Sequence, residues 1–265
     1  QFPRDKVCGD GQVQSLHPLL KEMGIHEEIS KNTFAANGTM LSDIDENTCV
    51  FNYKDGDYCF CTPRYIFDDI VNKSAVNAGV DYIENFEVLE VIKEKGITKG
   101  IRGLHMGNLV EIESDAVVVA NGSHSMISRK LGFFQEDPDY LFYGIRGYFE
   151  DVKGLSGVIE FHYPKKYFYP AGYIWLFPMS ATKANVGVFI TEDGLKRSEM
   201  TMEEILWDWK KNTKIGKERL GNARIIGDLK GWRLPTWGMT KEIHDNGVLA
   251  VGDAANMIEP LYGGG

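Results

Sequence analysis

The sequence predicts a mixed α/β fold built from interleaved domains. Two short apolar runs, 116–120 and 248–251, each lead into a glycine beside a polar residue, the pattern of a buried strand that ends in a tight turn. Aromatic-rich segments with alternating polarity lie between the two runs and favour an antiparallel sheet. The chain therefore passes back and forth between two kinds of domain.

Composition excludes several classes of function. The chain has 265 residues, 43% of them hydrophobic, which is ordinary for a globular protein. A net charge of -9 disfavours nucleic acid as a partner, because its phosphates need a basic surface. No apolar run approaches the roughly 18 to 20 residues of a membrane span, and no signal peptide is visible. We therefore expect a cytoplasmic location.

The cysteines are too few and too irregularly spaced for a disulfide framework, so we expect reduced thiols. Cys59 and Cys61 would share one face of a strand, but no second pair or nearby histidine completes a tetrahedral metal site. The acidic patch of Asp43, Asp45 and Glu46 is interpreted as a solvated loop. We predict no metal.

Helical spacing of apolar residues predicts helices over 13–23, 64–79 and 202–212. Alternation and β-branched residues predict short strands elsewhere. The expected strands before the aromatic region are 39–41, 49–52, 58–60, 80–83, 88–92, 97–104 and 109–112.

Aromatic residues dominate the strands that follow Gly132. Tyr173, Trp175 and Phe177 alternate along one strand and would line one face of an antiparallel sheet. Such a face suits an elongated apolar or planar ligand. A plain aromatic core is the alternative, and the pattern alone leaves it open.

The segment 247–265 reads as a strand covered on both faces that runs into a Gly-rich turn. Gly252 permits a sharp turn, and Asp253 places a carboxylate at the carboxyl end of the strand. The small side chains of Ala254 and Ala255 would let a ligand lie against the backbone. A second close approach to backbone amides is expected at Pro260, Gly263, Gly264 and Gly265.

Five segments, taken in order, resemble the geranylgeranyl reductase family of FAD-dependent oxidoreductases, which has the p-hydroxybenzoate hydroxylase fold. The segments are PRDKVCGDG (3–11), RYIFDDIV (64–71), DAVVVANGSHSMISRKLG (115–132), YIWLFP (173–178) and GDAANMIEPLYGGG (252–265). The resemblance implies a glutathione-reductase-type FAD-binding domain interleaved with an antiparallel β-sheet substrate domain. It places the FAD domain in 1–24, 61–135 and 244–265 and the substrate domain in 25–60 and 136–243.

The resemblance also implies residue roles. Cys8 would lie beside the flavin, and either shape its face or assist protonation of the product carbon. Tyr173, Trp175, Phe177 and Pro178 would line the substrate cavity. The cofactor-binding residues it implies are Cys8, Gly9, Asp10, Gly11, Arg64, Asn121, Gly122, Gly252, Asp253, Ala254, Pro260, Gly263, Gly264 and Gly265.

Several positions depart from the family pattern or have a second interpretation. Asn121 replaces an aspartate, which keeps the turn but loses the charge. Asn256 stands where a glycine is usual, and Phe189 ends a Gly-x-Phe sequence where the family has Gly-x-Gly. Arg64 could simply pair with Asp68 one helical turn on, rather than contact FAD.

No GxGxxG dinucleotide fingerprint occurs in the sequence. We therefore expect the chain to be an internal piece of a longer protein and to bind FAD weakly or not at all by itself. The implied activity is reduction of carbon-carbon double bonds in an isoprenoid chain, with an external electron donor such as NAD(P)H or ferredoxin. Contact with a membrane surface is implied only because the substrate is a lipid.

Two alternatives remain from the sequence. One is an aromatic or polyketide hydroxylase of the same fold, and the other is a lipid-binding protein without catalysis. Consecutive Ser123, His124 and Ser125 do not form a hydrolase triad, because its members must meet in space from separate positions.

Overall fold

A computed structural model of the chain describes residues 1–134, 137–168, 171–237 and 242–264. Its contacts divide it into two compact units. The first comprises Gln1–Asp81 with Tyr143–Trp232, and the second comprises Tyr82–Phe142 with Arg233–Gly265. The mixed α/β class is confirmed, and the predicted domain bounds, which followed motifs rather than contacts, stay a prediction.

Sixteen strands and seven α-helices occur in the described residues. The strands are β1 (Gly11–Gln12), β2 (Phe34–Ala36), β3 (Gly38–Ser42), β4 (Thr48–Asn52), β5 (Cys59–Cys61), β6 (Phe86–Glu94), β7 (Ile97–His105), β8 (Asn108–Glu113), β9 (Val117–Val119), β10 (Leu141–Glu150), β11 (Ile159–His162), β12 (Gly172–Pro178), β13 (Lys183–Thr191), β14 (Arg224–Pro235), β15 (His244–Asp245) and β16 (Val248–Ala250). The helices are α1 (His17–Glu22), α2 (His26–Lys31), α3 (Arg64–Asn77), α4 (Met126–Lys130), α5 (Glu192–Ser198), α6 (Met202–Asn212) and α7 (Lys214–Leu220).

A seven-stranded sheet forms the main body of the first unit, in the order β14-β10-β13-β12-β11-β3-β4. Its centre is antiparallel, as predicted, whereas β11 pairs with β3 in parallel. In the β12-β13 pair, Trp175 lies opposite Gly187 and Phe177 lies opposite Asn185. Because side chains alternate along a strand, the sheet has two chemically distinct faces.

Helix α6 covers one face of this sheet. It begins at Met202 because Thr201 and Glu204 form a capping box, each side chain bonding the other residue's backbone N–H. Its buried stripe packs against residues of β12 and β13, and the predicted helix is confirmed at its bounds. The buried members of this core include Ile174, Leu176, Val186, Val188, Ile205, Leu206 and Trp209.

The second unit carries two three-stranded sheets. One is the antiparallel meander β6-β7-β8, and the other has the order β15-β16-β9. Strands β9 and β16 run parallel, with Val119 opposite Ala250. Parallel pairing brings the two carboxyl ends to the same edge, so the two predicted strand-to-turn junctions lie side by side.

Three local predictions were wrong. The first helix is broken into a 3-10 turn, Gln14–Leu16, and the short α1, because Pro18 at its start lacks an N–H and suits only a first helical turn. Residues 80–83 form no strand, since no described strand pairs with them and Val80 is exposed. Leu249 of β16 is 37% exposed, so this strand is not covered on both faces.

The sequence pattern also missed α2 and β2, which lie where only strand-like patches were expected. None of the helices in the described ranges has the length and hydropathy needed to cross a bilayer. Across those same ranges, no group of three or more His, Cys, Asp or Glu side chains is arranged to hold a metal ion.

The core of the first unit predicts a stability difference between two leucines. Leu206 is fully buried beneath the sheet, whereas Leu19 is 50% exposed. We expect Leu206→Ala to lower the free energy of unfolding by about 2–5 kcal/mol, since it leaves a cavity. Leu19→Ala should cost under about 1 kcal/mol. Urea denaturation followed by circular dichroism measures both, and equal losses would contradict this description of the core.

Candidate functional site

The turn that contains Cys8 is fixed by strand pairing in the first unit. Strand β1 pairs with β5, which places Gly11 opposite Cys61. The backbone N–H of Thr62 donates to the carbonyl of Asp10 at 3.0 Å. Asp10 itself has φ 65, in the left-handed region that aspartate tolerates better than most residues. Residues 8–11 therefore form a tight turn, as the sequence predicted.

This turn lies directly on the face of the sheet opposite α6. A Cβ built on Gly9 would approach the Phe177 ring to 3.0 Å and the Trp175 Nε1 to 3.3 Å. A side chain at position 9 would therefore need the Phe177 ring to shift. The structure brings two predicted groups together, the Cys8 turn and the aromatic residues of β12.

Aromatic rings line this face. Tyr173 and Trp175 are only 5% and 7% exposed, and Phe177 is half-buried. Phe161 makes edge contacts with both Tyr173 and Phe177, at centroid distances of 5.2 and 5.3 Å. The rings therefore pack on one another, which fits a core as well as the wall of an apolar cavity. Their role toward substrate stays a prediction.

Two further positions on the sheet refine the aromatic prediction. Phe189 lies opposite Tyr173, with ring centroids 5.0 Å apart, so a ring fills the space beside Tyr173 where the family pattern has glycine. Strand alternation places Pro178 on the same face as Leu176, away from Trp175.

Asn185 of β13 connects the turn to the aromatic face. Its Nδ2 donates to the carbonyl of Cys8 at 2.8 Å and to Asp10 Oδ2 at 2.9 Å. Its Oδ1 accepts from Trp175 Nε1 at 2.9 Å. Sequence reasoning missed Asn185, and the only available signal was a polar residue inside an otherwise apolar strand.

Asp10 is fully buried. Tyr148 donates its hydroxyl hydrogen to Oδ2 at 2.6 Å, and Asn185 donates to the same oxygen. Oδ1 is buried without a hydrogen bond of ordinary geometry, and the Arg64 backbone N–H lowers the carboxyl pKa only weakly. Burial raises the pKa of Asp10 to about 6, against the lowering effect of the Tyr148 and Asn185 hydrogen bonds.

Tyr148 and Arg146 belong to the same polar cluster. Burial, with the neighbouring Asp10, raises the pKa of Tyr148 above its ordinary value. Tyr148 therefore stays protonated and acts as the hydrogen-bond donor to Asp10. The Arg146 guanidinium lies 4.5 Å from the Tyr148 ring centroid and forms an ion pair with Asp5 at 2.6 Å. These contacts attach residues 5–10 to strand β10 of the sheet.

Arg64 begins α3, directly after Pro63. Its guanidinium bonds both oxygens of Asp68, at 2.6 and 3.0 Å, so the ion pair considered from the sequence is present. Burial by itself lowers the pKa of Arg64, but the Cys8 side chain, which accepts a hydrogen bond from it, and Asp68 raise it above its ordinary value. Contact between Arg64 and FAD stays a prediction.

The four cysteines are free. Cys59 and Cys61 are buried in β5, Cys49 is exposed, and Cys8 is partly exposed. Cys8 is therefore the accessible thiol of the turn.

The predicted residues of the second unit gather at the carboxyl ends of β9 and β16. Asn121 and Gly122 follow β9, and a 3-10 turn, Gly252–Ala255, follows β16. Gly122 and Gly252 have φ 82 and φ 57, and a Cβ added to either would meet nothing within 4 Å. The edge is thus open on the side of both glycines, as a ligand-binding edge requires.

Asn256 adopts φ 54, so it takes the left-handed conformation that a glycine would supply. The turn therefore survives this departure from the family pattern. Ala254 is buried and Asp253 is half-buried at the same edge.

The segment after Asn256 is organised by Glu259. Its carboxylate accepts from the backbone N–H groups of Leu261 and Tyr262, both at 2.8 Å, and its carbonyl accepts from Gly263. Of the residues expected to face a ligand, Gly263 therefore uses its amide internally. Pro260 and Gly264 are exposed, and the predicted role of Gly265 lies outside the described residues.

One segment of the chain matches a known family model. Residues 151–226, which carry β11 to β13 and the helices below them, match the family model of the geranylgeranyl reductase catalytic domain. Over these residues the chain is therefore similar to that family.

Two curated relatives show the range of this similarity. The digeranylgeranylglycerophospholipid reductase of Methanothrix thermoacetophila is 27% identical over 83% of this chain and 54% of its own length. The 1H-pyrrole-2-carbonyl-[peptidyl-carrier protein] chlorinase of Pseudomonas fluorescens is 25% identical over 100% of this chain and 65% of its own length. The chain thus spans about half to two thirds of these relatives.

Among solved structures, a geranylgeranyl bacteriochlorophyll reductase-like protein from Thermoplasma acidophilum superposes with a TM-score of 0.87. It is 23% identical, and the match covers 100% of this chain and 65% of that one. At this identity the likeness establishes the fold alone.

The buried carboxyl of Asp10 predicts a pH dependence. Its pKa is raised on folding, from the ordinary 3.8 to about 6, so its ionisation opposes folding. This cost is absent below about pH 4, grows as the pH rises toward 6, and reaches roughly 3 kcal/mol above that.

Asp10→Asn should remove this cost, because both hydrogen bonds go to one oxygen that the amide retains. We expect the variant to be more stable than the wild type at pH 7.5 and to lose that advantage by pH 4. Urea denaturation across this range measures it, with Asp45→Asn in an exposed loop as the control. An unchanged pH profile would show that folding does not raise the pKa of Asp10.

Proposed function

We propose that the full-length protein is an FAD-dependent reductase of carbon-carbon double bonds in an isoprenoid chain. The observation that carries the proposal is the packing of the Cys8 turn on the aromatic face, inside and beside the segment that matches the reductase catalytic domain. Relatives named digeranylgeranylglycerophospholipid reductase support the same substrate class.

The residues of the second unit fit FAD as the cofactor. The parallel ends of β9 and β16 leave open space at Gly122 and Gly252, where the backbone can approach a ligand closely. Asp253 would accept a hydrogen bond from the ribityl chain, and the Asn121-Gly122 turn would lie toward the pyrophosphate. Bound FAD supplies the hydride chemistry that no protein side chain can perform.

The residues of the first unit supply binding and protection. The rings of Tyr173, Trp175 and Phe177 would hold an apolar chain and keep water from it. Cys8 lies at the turn, where the Arg64 guanidinium donates to its side chain. A thiol so placed can shape the flavin face or pass a proton to the product carbon.

We propose an external electron donor, either NAD(P)H or a ferredoxin. Asn121 is uncharged, so this turn does not supply an anion for steering a nicotinamide cofactor. Because the proposed substrate is a lipid, we propose that the protein contacts a membrane surface to reach it.

Single-turnover mixing tests the proposed activity. In the absence of oxygen, a geranylgeranyl lipid should reoxidise the reduced FAD of the full-length protein. Mass spectrometry of the lipid product should then show fewer double bonds. A fully saturated phytanyl lipid of the same headgroup is the matched control and should leave the flavin reduced. A flavin that stays reduced with every unsaturated isoprenoid would refute the reductase.

Oxygen-dependent chemistry is the second candidate, because the similarity to a chlorinase covers the whole chain. A hydroxylase or halogenase would consume oxygen when substrate is added, whereas a reductase would not. Oxygen uptake stimulated by an aromatic or pyrrole substrate would favour the second candidate. A purified full-length protein without a flavin absorbance band would instead favour a lipid-binding role.

A further inference from the structure

Asn185 is a fully buried amide whose hydrogen-bonding groups are all used. Its one oxygen accepts from the Trp175 indole, and its nitrogen donates to the Cys8 carbonyl and to Asp10. These three partners come from two parts of the first unit, the N-terminal turn and strand β12. A single side chain thus joins the turn to the aromatic face.

The chemistry of the partners requires a carboxamide at this position. Trp175 Nε1 can only donate, and the Cys8 carbonyl can only accept. Asp10 accepts when it is ionised. The centre of the cluster therefore needs one acceptor and two donors, and an aspartate or an apolar residue would leave buried partners unsatisfied.

The Trp175 ring is held on its other side by close packing. Its indole lies against the backbone of Gly187, where an added Cβ would overlap the ring. The hydrogen bond to Asn185 then fixes the direction in which the ring edge points. Rotation of the indole would break this bond and leave a buried N–H without a partner.

We propose that Asn185 is a positioning residue for the reduction, one that holds the Trp175 indole and the Cys8 turn at a fixed separation. This inference rests on the proposed function, in which the turn faces the cofactor and the indole faces the isoprenoid chain. Asn185 touches neither reacting partner itself and acts through Trp175 and Cys8. It therefore sets how closely the chain approaches the turn.

The charged groups around the cluster are compatible with this role. Asp10 is faced by Tyr148 and Asn185, with Arg146 close to it and Cys61 buried nearby. The Tyr148 hydroxyl also holds Asp10, so the carboxylate keeps one donor when Asn185 is replaced. The Cys8 carbonyl, in contrast, loses the side-chain donor that holds it.

The test uses full-length protein in a Cys49→Ser background and follows alkylation at Cys8 itself by peptide mass spectrometry. Cys59 and Cys61 are buried. Asn185→Ala should raise the rate of Cys8 alkylation by iodoacetamide about tenfold, since the turn loses a buried hydrogen bond. It should also slow reoxidation of the reduced flavin by a geranylgeranyl lipid about tenfold. Asn212→Ala, which removes a surface bond to Asp208, is the matched control and should change neither rate.

A second variant keeps the inference testable if Asn185→Ala does not fold. Trp175→Phe removes the indole N–H and leaves the Asn185 bond to Cys8 in place. It should raise the KM for the lipid while Cys8 alkylation stays within about twofold of the wild type. Trp207→Phe, whose indole bonds Glu203 on the surface of α6, is its control.

Folded Asn185→Ala protein with unchanged Cys8 alkylation would overturn the inference whatever the activity does. If the wild type transfers no electrons to any isoprenoid, the proposed function fails instead. The alkylation rates then decide by themselves whether Asn185 holds the turn, because they do not depend on turnover.

Discussion

The packing of residues 8–11 on the aromatic face of the seven-stranded sheet is the contact on which the rest of the site depends. The turn approaches Phe177 so closely that Gly9 has no room for a side chain unless the ring shifts. Asn185 and Asp10 hold it there through buried hydrogen bonds. A partly exposed thiol at Cys8 and a wall of rings are thereby kept side by side.

The sheet makes this arrangement possible because one of its faces packs against the hydrophobic core and the other packs against the Cys8 turn. Ile174 and Leu176 of β12 face α6 and belong to the hydrophobic core, while Trp175 and Phe177 face the turn. Core packing on one face holds the backbone of β12 rigid. The aromatic side chains on the opposite face are therefore attached to a fixed backbone. A polar cluster around Asp10 is tolerated there because nearly all its groups have partners, and the raised pKa of its carboxyl is the cost of burying it.

Local sequence patterns predicted the individual helices and turns of this fold better than the contacts between them. Helix α6 was found from the spacing of Ile205, Leu206 and Trp209, and the turns at Gly122 and Gly252 from their strand-glycine junctions. Pro18 and residues 80–83, which form no strand, show where such patterns fail, since one proline or the lack of a neighbouring strand overrides them. Asn185 escaped detection because its contacts with Cys8 and Asp10 are 177 and 175 positions away in the sequence. The same fold occurs in a flavin-dependent brominase and in a reductase-like protein, so function has to be argued from the site rather than the architecture.

A crystal structure of the full-length protein with FAD and a saturated C20 lipid would test the central claim most directly. The account predicts that the isoalloxazine contacts the backbone of the Cys8 turn and that the lipid chain lies along Trp175, with the Asn185 hydrogen bonds intact. A lipid bound away from the aromatic face, or a flavin with no contact to the Cys8 turn, would contradict it.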